Sequence, residues 1–183
     1  MTKRKSIGPR LSRIKMLLLD VDGVLTDGGL YYSADGVELK RFHAHDGYGV
    51  ARAFAHGLKI GLISGRTTPV VTARAAALGI EDVIQGMQDK VTAMRSLQEK
   101  YHFTDEEFAF MGDELFDMPL LNVVGFAAAP KNARPEVQRI VQYVTRVAGG
   151  DGAAREVIDL ILEHQQRHLP GWIRATVHRK TTR

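Results

Sequence analysis

The chain has 183 residues, of which 44% are hydrophobic and 25% are charged, and it contains no cysteine. This length and composition are typical of one soluble domain with its own core and exclude a disulfide-stapled scaffold, and no apolar run approaches the ~20 residues of a transmembrane helix. The basic first residues lack the apolar stretch of a secretory signal, so we expect a cytoplasmic protein without membrane insertion.

The formal net charge of +4 is unevenly distributed along the sequence. Eleven of the 25 Lys and Arg residues lie in residues 1–15 and 166–183, which contain no Asp or Glu. The segment between them therefore carries 14 basic residues against 21 acidic ones, a formal net charge of −7. This balance argues against a nucleic-acid-binding domain, which needs a basic surface. We expect basic tails over 1–14 and 166–183 around a single domain over 15–165.

The predicted elements begin with a strand. The continuous apolar run over 15–19 is typical of a buried parallel strand. Two β-prone stretches, 30–32 and 37–42, flank an Asp-Gly pair, which predicts a hairpin. Residues 46–57 have a helical pattern that stops at Gly57.

Strand and helix patterns alternate through the rest of the chain. We predict strands over 59–63, 83–85, 108–111, 125–128 and 143–144, and helices over 67–78, 88–101, near Glu114 and over 153–164. This alternation predicts an α/β fold in which a three-layer, Rossmann-like parallel sheet carries a β-hairpin flap. Between Asp22 and Ser64 there is room for the hairpin and one helix only, so we expect no cap domain.

Polar residues follow these strands or open the next helix. Asp20 and Asp22 end the first strand, Ser64 ends the second, Asp113 follows the strand over 108–111, and Lys90 opens a helix. In parallel sheets ligands bind beyond the carboxyl ends of the strands. We therefore expect all five side chains to meet at one edge of the sheet.

These residue types suit attack on a phosphate monoester. A carboxylate that attacks phosphorus needs a cation that neutralises both anions, and Asp20 and Asp113 supply the oxygen ligands that Mg²⁺ prefers. Asp22 is placed to protonate the leaving oxygen and then to deprotonate the water that hydrolyses an aspartyl phosphate. Ser64 and Lys90 would bind the transferring phosphoryl group, and Lys90 would also keep Asp20 ionised.

Each residue also has a purely structural interpretation. Asp20 and Asp22 could belong to a turn or a calcium loop, although Val24 and Thr26 supply no carboxylate at the alternate positions such a loop needs. Ser64 alone could be a helix cap and Lys90 alone a solvated surface lysine. A non-catalytic binding protein on the same fold is a further alternative. It predicts the loss of one member of the set, and none is lost.

The ordered set resembles the haloacid dehalogenase superfamily. It comprises Asp20-Val-Asp22, Ser64, Lys90 and Gly112-Asp113 with Asp117. Asp22 marks the phosphatase and phosphomutase branches, and roughly residues 15–165 are similar to a capless branch that acts on phosphorylated keto sugar acids. The shared stretches are Asp20–Gly28, Gly36–Leu39, Phe42-His43, Asp46–Gly49, Ser64–Arg66, Gly112-Asp113, Ala148–Gly150, Gly152-Ala153 and Arg155-Glu156.

The resemblance implies a role for each matching residue. Asp20 would be nucleophile and metal ligand, Asp22 would be acid/base and would lend its backbone carbonyl to Mg²⁺, Asp113 would be the third protein ligand, and Asp117 would support Asp113 from behind. Catalysis would also use Ser64 and Lys90. The substrate pocket would be lined by Asp22, His43, Ala44, His45, Asp46, Gly47, Arg66, Arg74 and Lys90.

The implied substrate is a phosphorylated eight- or nine-carbon keto sugar acid. The first candidate is 3-deoxy-D-manno-octulosonate 8-phosphate (KDO 8-phosphate), whose dephosphorylation feeds lipopolysaccharide synthesis, and the alternative is 3-deoxynonulosonic acid 9-phosphate. Arg66 and Arg74 would recognise the far carboxylate, although Arg74 could equally be an exposed solubilising residue. Three positions depart from the pattern of the branch, namely Glu114 for Asp, His45 for Arg, and Ala51 beside Arg52 for a basic residue.

Without a lid of its own, such an active site needs another cover. The Tyr31-Tyr32 hairpin could pair with copies of itself, and we expect a homotetramer in which hairpins assemble centrally and a neighbour covers each active site. The alternative is a hairpin folded back on its own domain. Residues 169–173, which include Trp172, could dock near a neighbour's pocket or be disordered.

Overall fold

The computed structural model describes residues 7–165, and six parallel strands form its centre. In chain order the elements are α1 (Gly8–Leu11), β1 (Met16–Leu19), β2 (Tyr31–Tyr32), β3 (Glu38–Leu39), α2 (Ala44–Ala55), β4 (Lys59–Ser64), α3 (Pro69–Leu78), β5 (Asp82–Gln85), α4 (Lys90–Tyr101), β6 (Phe108–Met111), α5 (Met118–Val123), β7 (Phe126–Ala129), α6 (Pro135–Ile140), β8 (Tyr143–Val144) and α7 (Ala153–His164). Short 3₁₀ turns lie at Asp105–Glu107 and Leu115–Asp117.

The strand order is β5-β4-β1-β6-β7-β8, which places β1 at the centre of the sheet. All four residues of β1 are buried, and they alternate between the two faces. Leu17 and Leu19 pack in a core with α2 and α7, whereas Met16 and Leu18 pack in a core with α4 and α5. A continuous apolar run is required because both faces of this strand are covered by helices. Asp20 therefore lies at the carboxyl end of the most enclosed strand.

The hairpin is the one element between β1 and α2 in the described part of the chain. Its two strands pair antiparallel, with Tyr31 opposite Leu39 and Tyr32 opposite Glu38. No separate cap domain is found within residues 7–165. The three-layer α/β fold with a hairpin flap and without a cap is thereby confirmed.

The folded region begins earlier than the predicted boundary at residue 15. Gly8–Leu11 form α1, and Leu11 and Ile14 are 0% and 2% exposed in the core shared with α7. This helix was not predicted from the sequence, because a single turn that begins at Gly8 is too short to show a helical period. The other predicted tail residues, 1–6 and 166–183 with Trp172, lie outside the described residues.

The remaining differences concern helix boundaries and one short helix. The helix predicted over 46–57 begins at Ala44, because His43 caps it by accepting a hydrogen bond from the backbone of His45. The helix predicted over 67–78 begins at Pro69 behind the Thr68 cap, so Ser64 is not a helix cap. The short helix α6 was not predicted. No helix in the described part of the chain is both long and apolar enough to cross a bilayer.

Candidate active site

Three carboxylates and one lysine meet at the carboxyl ends of β1 and β6. Oxygens of Asp20, Asp113 and Asp117 all lie within 4.8 Å of one another. Lys90 Nζ, at the first residue of α4, lies 2.9 Å from Asp20 Oδ1 and 2.5 Å from Asp117 Oδ1. Lys90 is 2% exposed, which excludes the alternative of a solvated surface lysine.

The loop after β1 is held close to this cluster by two features. Gly23 has φ +86°, and a Cβ at this position would lie 2.1 Å from Asp113 Oδ2, so only glycine allows the loop to approach so closely. Thr26 Oγ1 accepts hydrogen bonds from the backbone N–H groups of Gly23 and Gly28 and donates one to the Val21 carbonyl. These bonds fix the turn that carries Asp22.

Asp117 is fully engaged within the protein. Its Oδ1 accepts from Lys90, and its Oδ2 accepts from the backbone N–H groups of Asp113 at 2.9 Å and Glu114 at 3.1 Å. With both oxygens occupied, this carboxylate is arranged to orient Lys90 and the Asp113 loop rather than to bind an ion. The replacement of Asp by Glu at 114 leaves this backbone contact intact.

The cluster holds more negative charge than its own residues neutralise. Burial, reinforced by the charges of Asp20 and Asp117, raises the pKa of Asp113 to about 8. Burial also raises the pKa of Asp20 to about 6, although Lys90 opposes that shift. Asp113 Oδ1 is buried and accepts no hydrogen bond. Hard oxygen donors with an unpartnered buried oxygen fit a small divalent cation, which would stabilise the ionised forms.

Asp22 lies apart from the cluster and forms an ion pair with Lys40. Lys40 Nζ also lies 2.9 Å from Glu38 Oε1, and Glu38 Oε2 lies 3.1 Å from Arg66 Nη2. The Lys40 side chain is only 1% exposed. Lys40 and Glu38 were not predicted as site residues. The sequence does carry a signal for them, because they stand at alternate positions of a β-prone stretch, which places two charged side chains on one face of the hairpin.

Ser64 occupies the carboxyl end of β4, beside β1. It is 2% exposed, and its Oγ accepts a hydrogen bond of 3.2 Å from the backbone N–H of Arg66. That bond leaves the hydroxyl proton available for a ligand. The Arg66 side chain is held against the hairpin by Glu38 and by the Tyr32 hydroxyl at 3.4 Å.

The first turn of α2 contacts α3 and α7. Asp46 is 2% exposed, its Oδ1 accepts from the backbone N–H of Arg155 at 2.8 Å, and burial raises its pKa. Its Oδ2 is buried without a hydrogen-bond partner, and the assignment of Asp46 to the substrate pocket stays a prediction. An aspartate in a first helical turn is well placed to accept backbone N–H groups of a neighbouring helix start, and here it joins α2 to α7.

The other predicted pocket residues of this segment are more accessible. Ala44 and His45 are exposed, and His45 borders a groove of about 500 Å³ beside the start of α7. None of Asp20, Lys90 and Asp113 lines that groove. Gly47 faces Arg74, whose guanidinium lies 5.4 Å from the Phe42 ring and whose Nε is buried without a hydrogen-bond partner.

A second glycine-rich loop supports the Asp22 loop from behind. A Cβ at Gly149 would lie 1.7 Å from the Gly23 carbonyl oxygen, and the N–H of Gly150 donates to the Val24 carbonyl at 3.1 Å. Asn132 Oδ1 accepts from the N–H of Gly149 at 2.8 Å. The sequence shows the pair Gly149-Gly150, but it does not indicate that this pair contacts the Asp22 loop.

Known proteins resemble this chain in sequence. Residues 66–157 match the family model of the haloacid dehalogenase-like hydrolases. The 3-deoxy-D-manno-octulosonate 8-phosphate phosphatase KdsC of Escherichia coli strain K12 is 42% identical over 153 residues, which are 84% of this chain and 81% of that protein.

Solved structures extend the similarity to the fold. The 3-deoxy-D-manno-octulosonate 8-phosphate phosphatase of Yersinia pestis is 39% identical with a TM-score of 0.86, covering 87% of this chain and 86% of that one. The enzyme of the same name from Moraxella catarrhalis, in complex with a magnesium ion, a phosphate ion and KDO, is 36% identical with a TM-score of 0.85, covering 87% and 92%.

Proposed function

This chain belongs to the haloacid dehalogenase-like hydrolases. From its 42% identity to the KdsC phosphatase of Escherichia coli we infer that it hydrolyses KDO 8-phosphate to KDO and inorganic phosphate. One observation carries the inference at the site. Asp20 ends the central strand and faces Lys90 at 2.9 Å, beside an Asp113 oxygen that is buried and unpartnered. The relatives from Escherichia coli and Moraxella catarrhalis, which span most of this chain, are named KDO 8-phosphate phosphatases, and the second holds KDO in its crystal structure.

Mg²⁺ is the proposed cofactor. The carboxylates of Asp20 and Asp113 and the backbone carbonyl of Asp22 would hold it, and the Moraxella catarrhalis relative contains magnesium. When bound, the ion supplies positive charge to the phosphate oxygens and to the attacking carboxylate. The donor set supports this choice, because magnesium prefers a few carboxylates with phosphate oxygen and water completing its shell.

In the first half-reaction Asp20 attacks phosphorus. A bond forms between an Asp20 carboxylate oxygen and phosphorus while the ester bond to the sugar oxygen breaks. The electron pair of that bond stays on the sugar oxygen, which takes a proton from the Asp22 carboxyl group. Lys90, already beside Asp20, and the Ser64 hydroxyl would bind the phosphoryl oxygens. KDO leaves, and Asp20 carries the phosphoryl group.

In the second half-reaction water releases the phosphate. The Asp22 carboxylate takes a proton from a water molecule, whose oxygen bonds to phosphorus as the bond to Asp20 breaks. Inorganic phosphate leaves, Asp20 is again a carboxylate and Asp22 is again protonated. Both half-reactions therefore use one acid/base group in opposite directions.

The sugar-acid end of the substrate is assigned to basic and backbone groups around α2 and α3. Arg66 and Arg74 are proposed to bind the carboxylate, and the buried, unpartnered Nε of Arg74 supports a polar ligand there. His43, Ala44, His45 and Gly47 remain predicted pocket residues. The side chain of Asp46 would contribute indirectly, through the position of α2.

Assembly and location complete the proposal. Five apolar side chains of the hairpin region are 45–57% exposed: Leu30, Tyr31, Tyr32, Val37 and Leu39. Such a patch supports a homotetramer joined through the hairpins, in which a neighbour covers each active site. We place the enzyme in the cytoplasm, where its product would enter lipopolysaccharide synthesis.

A substrate comparison tests the function. We would measure kcat/KM for KDO 8-phosphate, 3-deoxynonulosonic acid 9-phosphate and small phosphate esters, with Mg²⁺ and after chelation by EDTA. The expected result is a clear preference for KDO 8-phosphate that disappears with the metal. A preference for small esters would overturn the substrate and leave the reaction class, whereas full activity of Asp20→Asn would overturn the reaction class itself.

A further inference from the structure

Lys40 is a buried cation that the mechanism above does not use. Its side chain is 1% exposed and lies between two carboxylates, those of Asp22 and Glu38. Removing an ammonium group from water is costly unless close partners compensate for the lost hydration. A lysine in this position, beside the acid/base residue Asp22, therefore does more than make the surface soluble.

The contact fixes one oxygen of the acid/base group. Lys40 Nζ donates to Asp22 Oδ1, and Glu38 holds the same ammonium from the other side. Glu38 is itself held by Arg66, which continues the chain of alternating charges to the end of β4. Because Asp22 and Glu38 contact the ammonium group from two sides, the Lys40 side chain is held in one position.

We propose that Lys40 is a positioning residue for the acid/base steps, holding Asp22 through Oδ1 so that Oδ2 delivers the proton to the sugar oxygen and later removes one from water. This inference rests on the role of Asp22 in the proposed function. The geometry serves both half-reactions, because the hydrogen bond from Lys40 Nζ to Asp22 Oδ1 can be kept while the proton on Oδ2 leaves and returns.

Two other roles of Lys40 predict different behaviour. A lysine that contacts the phosphate would affect every phosphate ester alike. A lysine that only fastens the hairpin would lower the melting temperature and leave the activity of the folded enzyme unchanged. A positioning residue for Asp22 affects an ester in proportion to its need for a proton on the leaving oxygen.

The test compares an alkyl ester, KDO 8-phosphate, with an aryl ester, p-nitrophenyl phosphate, whose phenolate leaves without a proton. The variants are Lys40→Met, which removes the charge at similar length, and Lys40→Arg, which keeps it. Since general acid catalysis contributes about 10²–10⁴-fold, we expect Lys40→Met to lose ~10-fold or more in kcat/KM on the alkyl ester relative to the aryl ester. Lys40→Arg should recover much of that ratio. Lys100→Met, which removes a surface ion pair with Asp82, serves as a matched control.

A double-mutant cycle gives a second measurement. Asp22→Asn removes the acid/base group but permits transfer from p-nitrophenyl phosphate to Asp20, which a burst of p-nitrophenolate reports. If Lys40 acts through Asp22, adding Lys40→Met to Asp22→Asn leaves the burst rate unchanged. The cycle uses the rate of folded enzyme, so loss of stability does not imitate the result.

The outcomes separate this inference from the proposed function. Equal losses on both esters, an unchanged ester ratio or a further fall of the burst rate would overturn the positioning role of Lys40. Full alkyl-ester activity of Asp22→Asn would instead overturn the assigned mechanism, and Lys40 with it. If the wild-type chain hydrolyses p-nitrophenyl phosphate but not KDO 8-phosphate, the substrate is wrong, and the ratio measured with another sugar phosphate still decides the role of Lys40.

Discussion

Lys90 Nζ lies 2.5 Å from Asp117 Oδ1, and the two side chains are 1% and 0% exposed. Through its other oxygen, Asp117 also accepts the backbone N–H groups of Asp113 and Glu114. The Asp117 carboxylate thus fixes the position of the Lys90 ammonium group, which faces Asp20, and the position of the loop that carries Asp113. The proposed catalytic cluster therefore depends on Asp117, both of whose oxygens accept hydrogen bonds within the protein.

Substitution of Lys90 by methionine should affect both stability and activity. It leaves Asp20 and Asp117 buried without their cation, and breaking a buried pair in this way typically costs about 3–5 kcal/mol. Urea unfolding at pH 7 measures the loss. Lys100→Met, at a pair with a 52% exposed lysine, should change stability little. An equal loss of unfolding free energy in Lys90→Met and Lys100→Met would contradict the role given to Lys90.

The two aspartates of the β1 loop should have separable roles. Asp20→Asn should abolish turnover with Mg²⁺ present, because no phosphoenzyme can form. Asp22→Asn should slow turnover of KDO 8-phosphate by about 10²–10⁴-fold and retain a phosphoryl group on Asp20. Intact-protein mass spectrometry after rapid quenching distinguishes them, since only Asp22→Asn should gain the mass of a phosphoryl group. A phosphorylated Asp20→Asn protein would show that another residue is the nucleophile.

The metal-free protein should lose stability as the pH rises from 6 to 8. The pKa of Asp113 is raised from 3.8 to about 8, so in this range the folded state binds more protons than the unfolded state. The free energy of unfolding therefore falls with increasing pH until the folded-state pKa is passed. Mg²⁺ should reduce this dependence, because it stabilises the ionised carboxylates and binds more tightly as they lose protons.

Thermal unfolding at pH 6 and pH 8, with EDTA or with Mg²⁺, measures this effect. Asp113→Asn is the matched control, since it removes the titrating group and should flatten the metal-free pH dependence. A metal-free wild-type protein that gains stability between pH 6 and pH 8 would contradict the assigned electrostatics.

The sequence was sufficient to predict much of the fold and the catalytic cluster. The apolar run Leu17–Leu19 predicts a strand that is buried on both faces. Asp20 and Asp113 follow strands and Lys90 opens a helix, so a parallel sheet brings the three side chains to the same edge. The structure confirms that meeting. Their chemical roles stay predictions until they are measured.

Contacts between distant segments could not be predicted in the same way. The alternation of Glu38 and Lys40 indicates only that the two side chains share one face of the hairpin, and it does not identify Asp22 as the partner of Lys40. Asp46 is a second example of a contact between distant segments. It lies within a recognisable stretch, but its partner is the backbone of Arg155 in another helix. Helix α1 was not predicted because its burial depends on contact with α7, which comes much later in the sequence.

Substitution of Gly149 by alanine should displace the Asp22 loop. The new Cβ would lie 1.7 Å from the Gly23 carbonyl oxygen, a contact that backbone movement alone can relieve. We expect a lower melting temperature and a larger fall in kcat than in KM for KDO 8-phosphate. Gly79→Ala is the control, because Gly79 has φ +70° but open space around its Cβ position, so strain arises without a clash. Similar kcat values for both variants would rule out the displacement.

The exposed hairpin should join the subunits. Val37→Lys places a charge on a side chain that is 57% exposed in the apolar patch and should convert the proposed tetramer to smaller species. Sedimentation velocity measures the size, and kcat/KM for KDO 8-phosphate should fall with it. Phe54→Lys, on α2 and 39% exposed, is the control and should retain the tetramer. A fully active wild-type monomer at assay concentration would refute the assembly.

The packing of Gly149 and Gly150 behind the Asp22 loop also sets an order of events during biosynthesis. The strand that leads to Asp20 is made early, yet its neighbours β4 and β6 and its supporting glycine loop emerge from the ribosome later. Contacts so distant in sequence form only after the intervening chain is available. A nascent chain released after Asp113 but before Gly149 therefore has all four of Asp20, Asp22, Lys90 and Asp113 but no support behind the turn that carries Asp22. Incomplete products of translation are expected to be inert rather than partly active phosphatases.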